Sequence, residues 1–352
     1  EATATSLAHL LARAGGSGRS EEFSRAVLAS VSGGKRFRAL MAHVGYALSS
    51  ATPIEDVSLP HLSAALELYQ ASALVHDDII DKADERRGMP TPHRTLADHH
   101  AAQSWIGSST DFGRHSAILV GDFLFSAATA AADEQALTLP EDCAHAFARR
   151  FADMHAEVAL GQYLDISAEQ TPLDPEHTDA LRMSDSLEVA LHKSAHYSVV
   201  HPALLGAICA APSFDHVAGL LDVLETILTP WGLAFQLRDD DLGVFGDPAV
   251  TGKPAGDDLR EGKRTALLAL TWEASSPAER RALTDVLGVA EASAQQIATA
   301  TDIVERNGRA AHEAEIASLV ADGDATVEAS PLDENARAML RELCSILTAR
   351  RA

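Results

Sequence analysis

The sequence predicts an all-α fold, a single bundle of about ten or more helices. Three observations point there. Hydrophobic residues make up 46% of the 352 residues and aromatics only 5%, with alanine and leucine dominant, a bias toward helix and away from β-branched, aromatic-rich sheet. Apolar residues recur with a 3.6-residue period through most of the chain, and almost no alternating strand pattern competes. Gly, Pro and Ser gather at only a few short breaks.

Taken in order, the period places helices at 24–48, 58–84, 116–132, 141–168, 180–195, 198–211 and 216–244, with more through 264–317 and 332–350. The breaks are "AGGSG" at 14–18, "AEQTPLDPEH" at 168–177, "GDPAVTGKPAGDD" at 246–258 and "ADGDATVEASPLDEN" at 321–335. None reads as an interdomain linker, so residues 1–352 are taken as one domain, with 1–20 and 321–335 expected to be flexible and 99–113 a candidate mobile loop.

The formal net charge is −23. A surface for nucleic acid or anionic lipid would need a local basic patch against this field, and the sequence offers none. Cys143, Cys209 and Cys344 are odd in number and far apart, which suits a reducing, cytoplasmic setting better than a disulfide framework or a zinc site. No charged-then-apolar signal opens the sequence at Glu1, and the most apolar stretch carries Asp222 and Glu225, so no integral membrane segment is expected.

The chemistry concentrates in "LVHDDIID" at 74–81. On a helix Asp77 and Asp81 share a face and Asp78 lies about 100° around. Like charges so close repel, and a counter-cation resolves the conflict. Carboxylate oxygens without nearby Cys or clustered His favour magnesium, which bridges carboxylates to substrate phosphates. An EF-hand is excluded, since its invariant glycine and closing glutamate are missing. The plainer alternative is a solvated acidic helix end neutralised by Arg86 and Arg87. A second run, "QLRDDDLG" at 236–243, repeats the pattern about 160 residues later, and two such clusters could face each other across a bundle. Basic residues are spread in counterpoint: Lys35, Arg36 and Arg38 follow two glycines in "SGGKRFRAL", Lys193 lies in "LHKSAHYS", and Lys253 and Lys263 lie in "TGKPAGDDLREGKRT". Together with the acidic clusters they point to two phosphorylated ligands, one held through metal and one by cations alone.

In order the chain shows "GGKRFR", "DDIID" followed by "RRG.PT.H", "GDFLF", "GQYLD", "KSAHYS", "FQLRDDDLGVFGD" and "GKPAGDDLREGKRT". From about residue 30 to 270 it resembles the trans-type prenyl diphosphate synthases of the polyprenyl synthetase family, most of all bacterial geranylgeranyl diphosphate synthases. The resemblance implies the isoprenoid synthase fold, a helical bundle around a central cavity, and a homodimer. It implies ionisation of an allylic diphosphate, condensation with isopentenyl diphosphate and loss of a proton, with pyrophosphate as the base. Three magnesium ions, for which manganese could substitute, would be held by Asp77, Asp81 and Asp239, with Asp78 and Asp240 in support. Arg86, Lys193, Lys253 and Lys263 would bind the allylic diphosphate. Lys35, Arg38, Arg87 and Gln70 would bind isopentenyl diphosphate. Ser194, Gln236 and the Lys193 carbonyl would turn oxygen dipoles toward the carbocation.

Three departures stand out. Gly243 occupies the fifth position of the second motif, where many members have aspartate; Ser194 replaces a commoner threonine; Gln70 stands where histidine is frequent. For product length the resemblance points to Ala73, Ser72 and Tyr69, four, five and eight residues before Asp77. The first two are small, and Tyr69, about 12 Å along the axis from Asp77, is the candidate floor for a C20 product, with Phe123 and Phe125 as rivals. A C15 or longer product is the alternative, then a class I terpene cyclase or a non-catalytic regulatory subunit.

Overall fold

The computed structural model describes residues 2–15, 18–246, 256–289 and 291–348. Its chain forms two compact units, one from residues 1–151 and 202–217, the other from 152–201 and 218–352. Both are helical. Among the described residues the one strand pair is β1 (Glu85–Arg86) with β2 (Met89–Pro90), antiparallel, Arg86 opposite Met89.

The first unit holds α1 (Ala2–Ala14), α2 (Glu21–Ser30), α3 (Phe37–Ser50), α4 (Pro60–Ile80), α5 (Pro92–Ala102), α6 (Ser109–Ala136) and the start of α7 (Glu141–Gln170). The helix expected at 24–48 is in fact two. Gly33 (φ 73°), Gly34 (φ 90°) and Arg36 (φ 53°) take left-handed backbone, which no α-helix accommodates. The α4 helix begins with Pro60 at its first turn and packs along α6 and α3. It ends on Asp81 and Lys82 (φ 56°), with the Ala83 N–H bonded 3.0 Å to the Asp78 carbonyl, a Schellman closure. The segment 99–113 is mostly helical; only 103–108 separates α5 from α6, whose Ser108 cap accepts from the Asp111 N–H.

The second unit holds the rest of α7, α8 (Met183–Ala190), a π-helix (Leu191–Val200), the first residue of α9 (His201–Ala210), most of α10 (Phe214–Phe245), α11 (Asp257–Glu261), α12 (Ala266–Ala274), α13 (Pro277–Thr284), α14 (Ala294–Asn307), α15 (Arg309–Ala329) and α16 (Glu334–Thr348). Capping boxes open α13 at Ser276/Glu279 and α14 at Ser293/Gln296. Their core gathers Leu267, Leu268, Trp272, Leu283 and Ile303. The break expected at 321–335 shrinks to 330–333, because the alanine-rich stretch continues α15 to Ala329 and buries Val327.

Among the described residues two helices, α6 and α10, are long and apolar enough to cross a membrane by length and composition. Each encloses part of that surface within the protein: Val120 and Leu124 on α6, Trp231 and Leu237 on α10, are fully buried.

Candidate active site

In the first unit the candidate residues gather at the C-terminal end of α4. Asp77, Asp78 and Asp81 lie in its last turn and cap, where the helix dipole is negative and adds to their mutual repulsion. Arg86 answers that charge. Its Nε donates to Asp78 Oδ1 at 2.6 Å and its Nη2 to Asp77 Oδ2 at 3.1 Å. Asp78 is buried, while Asp77 and Asp81 stay partly exposed. Burial works against the Arg86 charge, but Asp78, then Asp77 and Asp81, more than offset it and raise its pKa. Removing the cation from such a pair costs about 3 kcal/mol.

The hairpin directs the two arginines differently. Arg87 (φ 55°) and Gly88 (φ 71°) are its two central residues, both at positive φ as a type I′ turn requires. Arg87 turns to the glycine loop, where a Cβ added to Gly34 would lie 3.2 Å from Arg87 Nη1. Arg87 therefore joins the segment carrying Lys35 and Arg38. Arg36, between them, binds Glu67 of α4 at 2.6 Å, which anchors the loop to the aspartate helix. Along α4, half-buried Ala73, Leu74, Asp77 and Asp81 stand three, four, seven and eleven positions after half-buried Gln70 and so share one face. Tyr69 and Ser72 are buried: the Tyr69 ring meets Phe125 edge-on at 5.9 Å and Ser72 Oγ donates to the Gly121 carbonyl at 2.8 Å. Phe123 instead packs on Phe23.

In the second unit the three consecutive aspartates near the end of α10, Asp239, Asp240 and Asp241, diverge. Asp239 is exposed. Asp240 is buried and accepts from Gln236 Nε2 at 2.8 Å, while Gln236 Oε1 accepts from Ser194. Burial first, then the charges of Asp258 and Asp239, push Asp240 well above the usual carboxylate range, against the Gln236 bond and Lys263. Asp241 pairs with Arg309 at 3.0 and 3.2 Å, and the Arg309 guanidinium lies over the Phe245 ring. Lys193 pairs with Asp165 of α7. Lys263 reaches Glu261 at 2.5 Å and Asp258 at 3.4 Å. Lys253 lies outside the described residues. At Gly243 an added Cβ would lie 1.9 Å from Asp258 Oδ2.

The model of the polyprenyl synthetase family matches residues 20–304. The chain belongs to the polyprenyl synthetase family. It is 32% identical over 277 residues to a geranylfarnesyl diphosphate synthase of Aeropyrum pernix, covering 78% of this chain and 77% of that one. To a geranylgeranyl diphosphate synthase of Mycobacterium tuberculosis it is 32% identical over 294 residues, covering 80% and 72%. A crystal structure of a geranylgeranyl pyrophosphate synthase from Corynebacterium glutamicum, complexed with isoprenyl diphosphate and magnesium, superposes with a TM-score of 0.81 at 35% identity, over 93% of this chain and 91% of that one. The all-α architecture of this polyprenyl synthetase is thus the expected one.

Sequence reasoning passed over Glu67, Asp165 and Asp258, which position Arg36, Lys193 and the ground beside Gly243. Asp165 lay in plain view as the last residue of "GQYLD". An acidic residue four helical positions after a glycine carries no role until its lysine partner is known.

Proposed function

We propose that this polyprenyl synthetase is a magnesium-dependent head-to-tail prenyltransferase that condenses isopentenyl diphosphate with an allylic diphosphate to give geranylgeranyl diphosphate. The observation that carries this reading is the division of labour across the hairpin. Arg86 sits on the aspartates, where a cation-bridged diphosphate belongs, and Arg87 sits on the Gly33–Gly34 loop beside Lys35, where a diphosphate needs no metal.

Asp77, Asp81 and Asp239 would hold the magnesium, and their all-oxygen donor set fits it. When bound, magnesium neutralises the diphosphate leaving group as its carbon–oxygen bond breaks. Arg86, Lys193, Lys253 and Lys263 would add positive charge around that diphosphate. Lys35, Arg38, Arg87 and Gln70 hold isopentenyl diphosphate with its double bond toward the allylic carbon. Ser194 and Gln236, locked to each other and to Asp240, present oxygen dipoles to the carbocation without moving as charge develops. The released pyrophosphate then takes the proton.

Chain length is proposed to end at Tyr69, past the small Ala73 and Ser72. A cytoplasmic homodimer is proposed, and the exposed Ile118, Leu119 and Phe125 on α6 would serve the subunit contact. The test is a kinetic split: Arg86→Ala should raise KM mainly for the allylic substrate and Arg87→Ala mainly for isopentenyl diphosphate. Identical effects on both substrates would contradict the assignment.

A further inference from the structure

A second group of ligand-type side chains lies in the same unit as the DDD motif, and the condensation chemistry does not use it. Glu157 on α7 receives His196 of the π-helix and His201 at the start of α9. His196 Nδ1 is 2.7 Å and His201 Nε2 3.3 Å from the same oxygen, Glu157 Oε2. All three ligand atoms fall within 4.8 Å of one another. His192 Nδ1 is 3.7 Å from that oxygen too. His201 is 2% exposed, and its Nδ1 has no hydrogen-bond partner among the described residues.

The backbone builds this arrangement. Residues five apart on a regular α-helix point about 140° apart. Here the His201 N–H bonds to the His196 carbonyl, the five-residue step of a π-helix, which brings positions i and i+5 toward one face. The two rings then stand 5.8 Å apart and nearly perpendicular, with His196 Nδ1 and His201 Nε2 turned to one Glu157 oxygen. Gly161 lets α7 and the π-helix touch backbone to backbone: a Cβ there would lie 2.3 Å from the Lys193 nitrogen. On one side of that contact Asp165 binds Lys193, and on the other Glu157 binds His196.

We propose that Glu157, His196 and His201 form a binding site for one borderline divalent transition-metal ion, zinc foremost, with His192 placed to complete the ligand set. Two imidazoles and a carboxylate suit such an ion and suit magnesium poorly. Metal–ligand bonds of about 2.0–2.1 Å set the edge of a tetrahedron at about 3.3 Å, the spacing that His201 and Glu157 already have. His196 needs to withdraw by about 0.6 Å, breaking its present hydrogen bond and releasing its Nδ1 proton to solvent as the metal binds. An ion there would clamp α7 to the π-helix, one turn from Lys193 and Ser194. The site stands on its own residues and does not depend on the prenyl chemistry.

The test is a cobalt(II) titration of the chelator-treated full-length protein, followed in the visible region, with zinc competition. Expected is a saturable, intense four- or five-coordinate band at one equivalent, displaced by zinc, lost in Glu157→Gln and in His196→Gln, and retained in Asp77→Asn. Glu157→Gln keeps size and hydrogen-bonding capacity, so it carries the result should His196→Gln fold poorly by circular dichroism. Absence of a saturable band, or a band that survives Glu157→Gln, overturns the proposal.

Discussion

Gly243 and Asp258 occupy one place. A Cβ at 243 would lie 1.9 Å from Asp258 Oδ2 and 2.4 Å from its Cγ, so the Asp258 carboxylate fills the space where a side chain at the fifth motif position would begin. The glycine is therefore the counterpart of Asp258, and restoring an aspartate should harm the protein. Gly243→Asp is expected to lower kcat/KM and to cost about 1–3 kcal/mol in urea unfolding, the usual range for overpacking. Unchanged stability with higher activity would show that position 243 has room for a ligand.

His312 gives the fold a pH dependence. It is fully buried on α15, and neither ring nitrogen has a hydrogen-bond partner among the described residues. Burial pushes its pKa down to about 4, with Glu313 opposing and Arg238 and Arg309 assisting. The unfolded chain takes up the proton near pH 6.5 and the folded chain only near 4. Stability from this group is therefore complete above about pH 6.5 and is lost as pH falls toward 4, by about 3 kcal/mol at most. His312→Leu should lose less stability than the parent between pH 7 and 4.5. Equal losses in the two proteins would remove His312 from the account.

Product length should respond to Ala73 and Tyr69 and much less to Ser72. Ala73 shares the half-buried face of Gln70, Leu74 and Asp77, so Ala73→Phe is expected to shorten the product toward C15. Tyr69→Ala removes the ring that meets Phe125 and is expected to lengthen it. Ser72 is tied to the Gly121 carbonyl, and Ser72→Phe should chiefly cost stability by wedging α4 from α6. Chain-length analysis of dephosphorylated products distinguishes these, and a product unchanged in both Ala73→Phe and Tyr69→Ala would place the floor elsewhere.

Much of this was legible in the sequence. Helix periodicity carried the all-α class, and "DDIID" with "RRG" placed a carboxylate cluster beside two arginines. That Arg86 and Arg87 point differently depends on two positive-φ residues in a two-residue turn, and a pair of adjacent arginines does not announce that turn. The left-handed Gly33, Gly34 and Arg36 interrupt a stretch whose apolar period continues across them, so one helix was expected where there are two. The different environments of Asp239, Asp240 and Asp241 depend on Gln236 and Arg309, and Arg309 lies 68 positions after Asp241. The division into two units falls inside α7 and α10, where no change of composition marks it.

The most direct measurement incubates the protein with magnesium, isopentenyl diphosphate and each of the C5, C10 and C15 allylic diphosphates, then determines the chain length of the dephosphorylated products. A magnesium-dependent C20 product, abolished in Asp77→Asn, is the predicted result. Failure to condense any primer, or hydrolysis or cyclisation of the allylic diphosphate alone, would contradict the account.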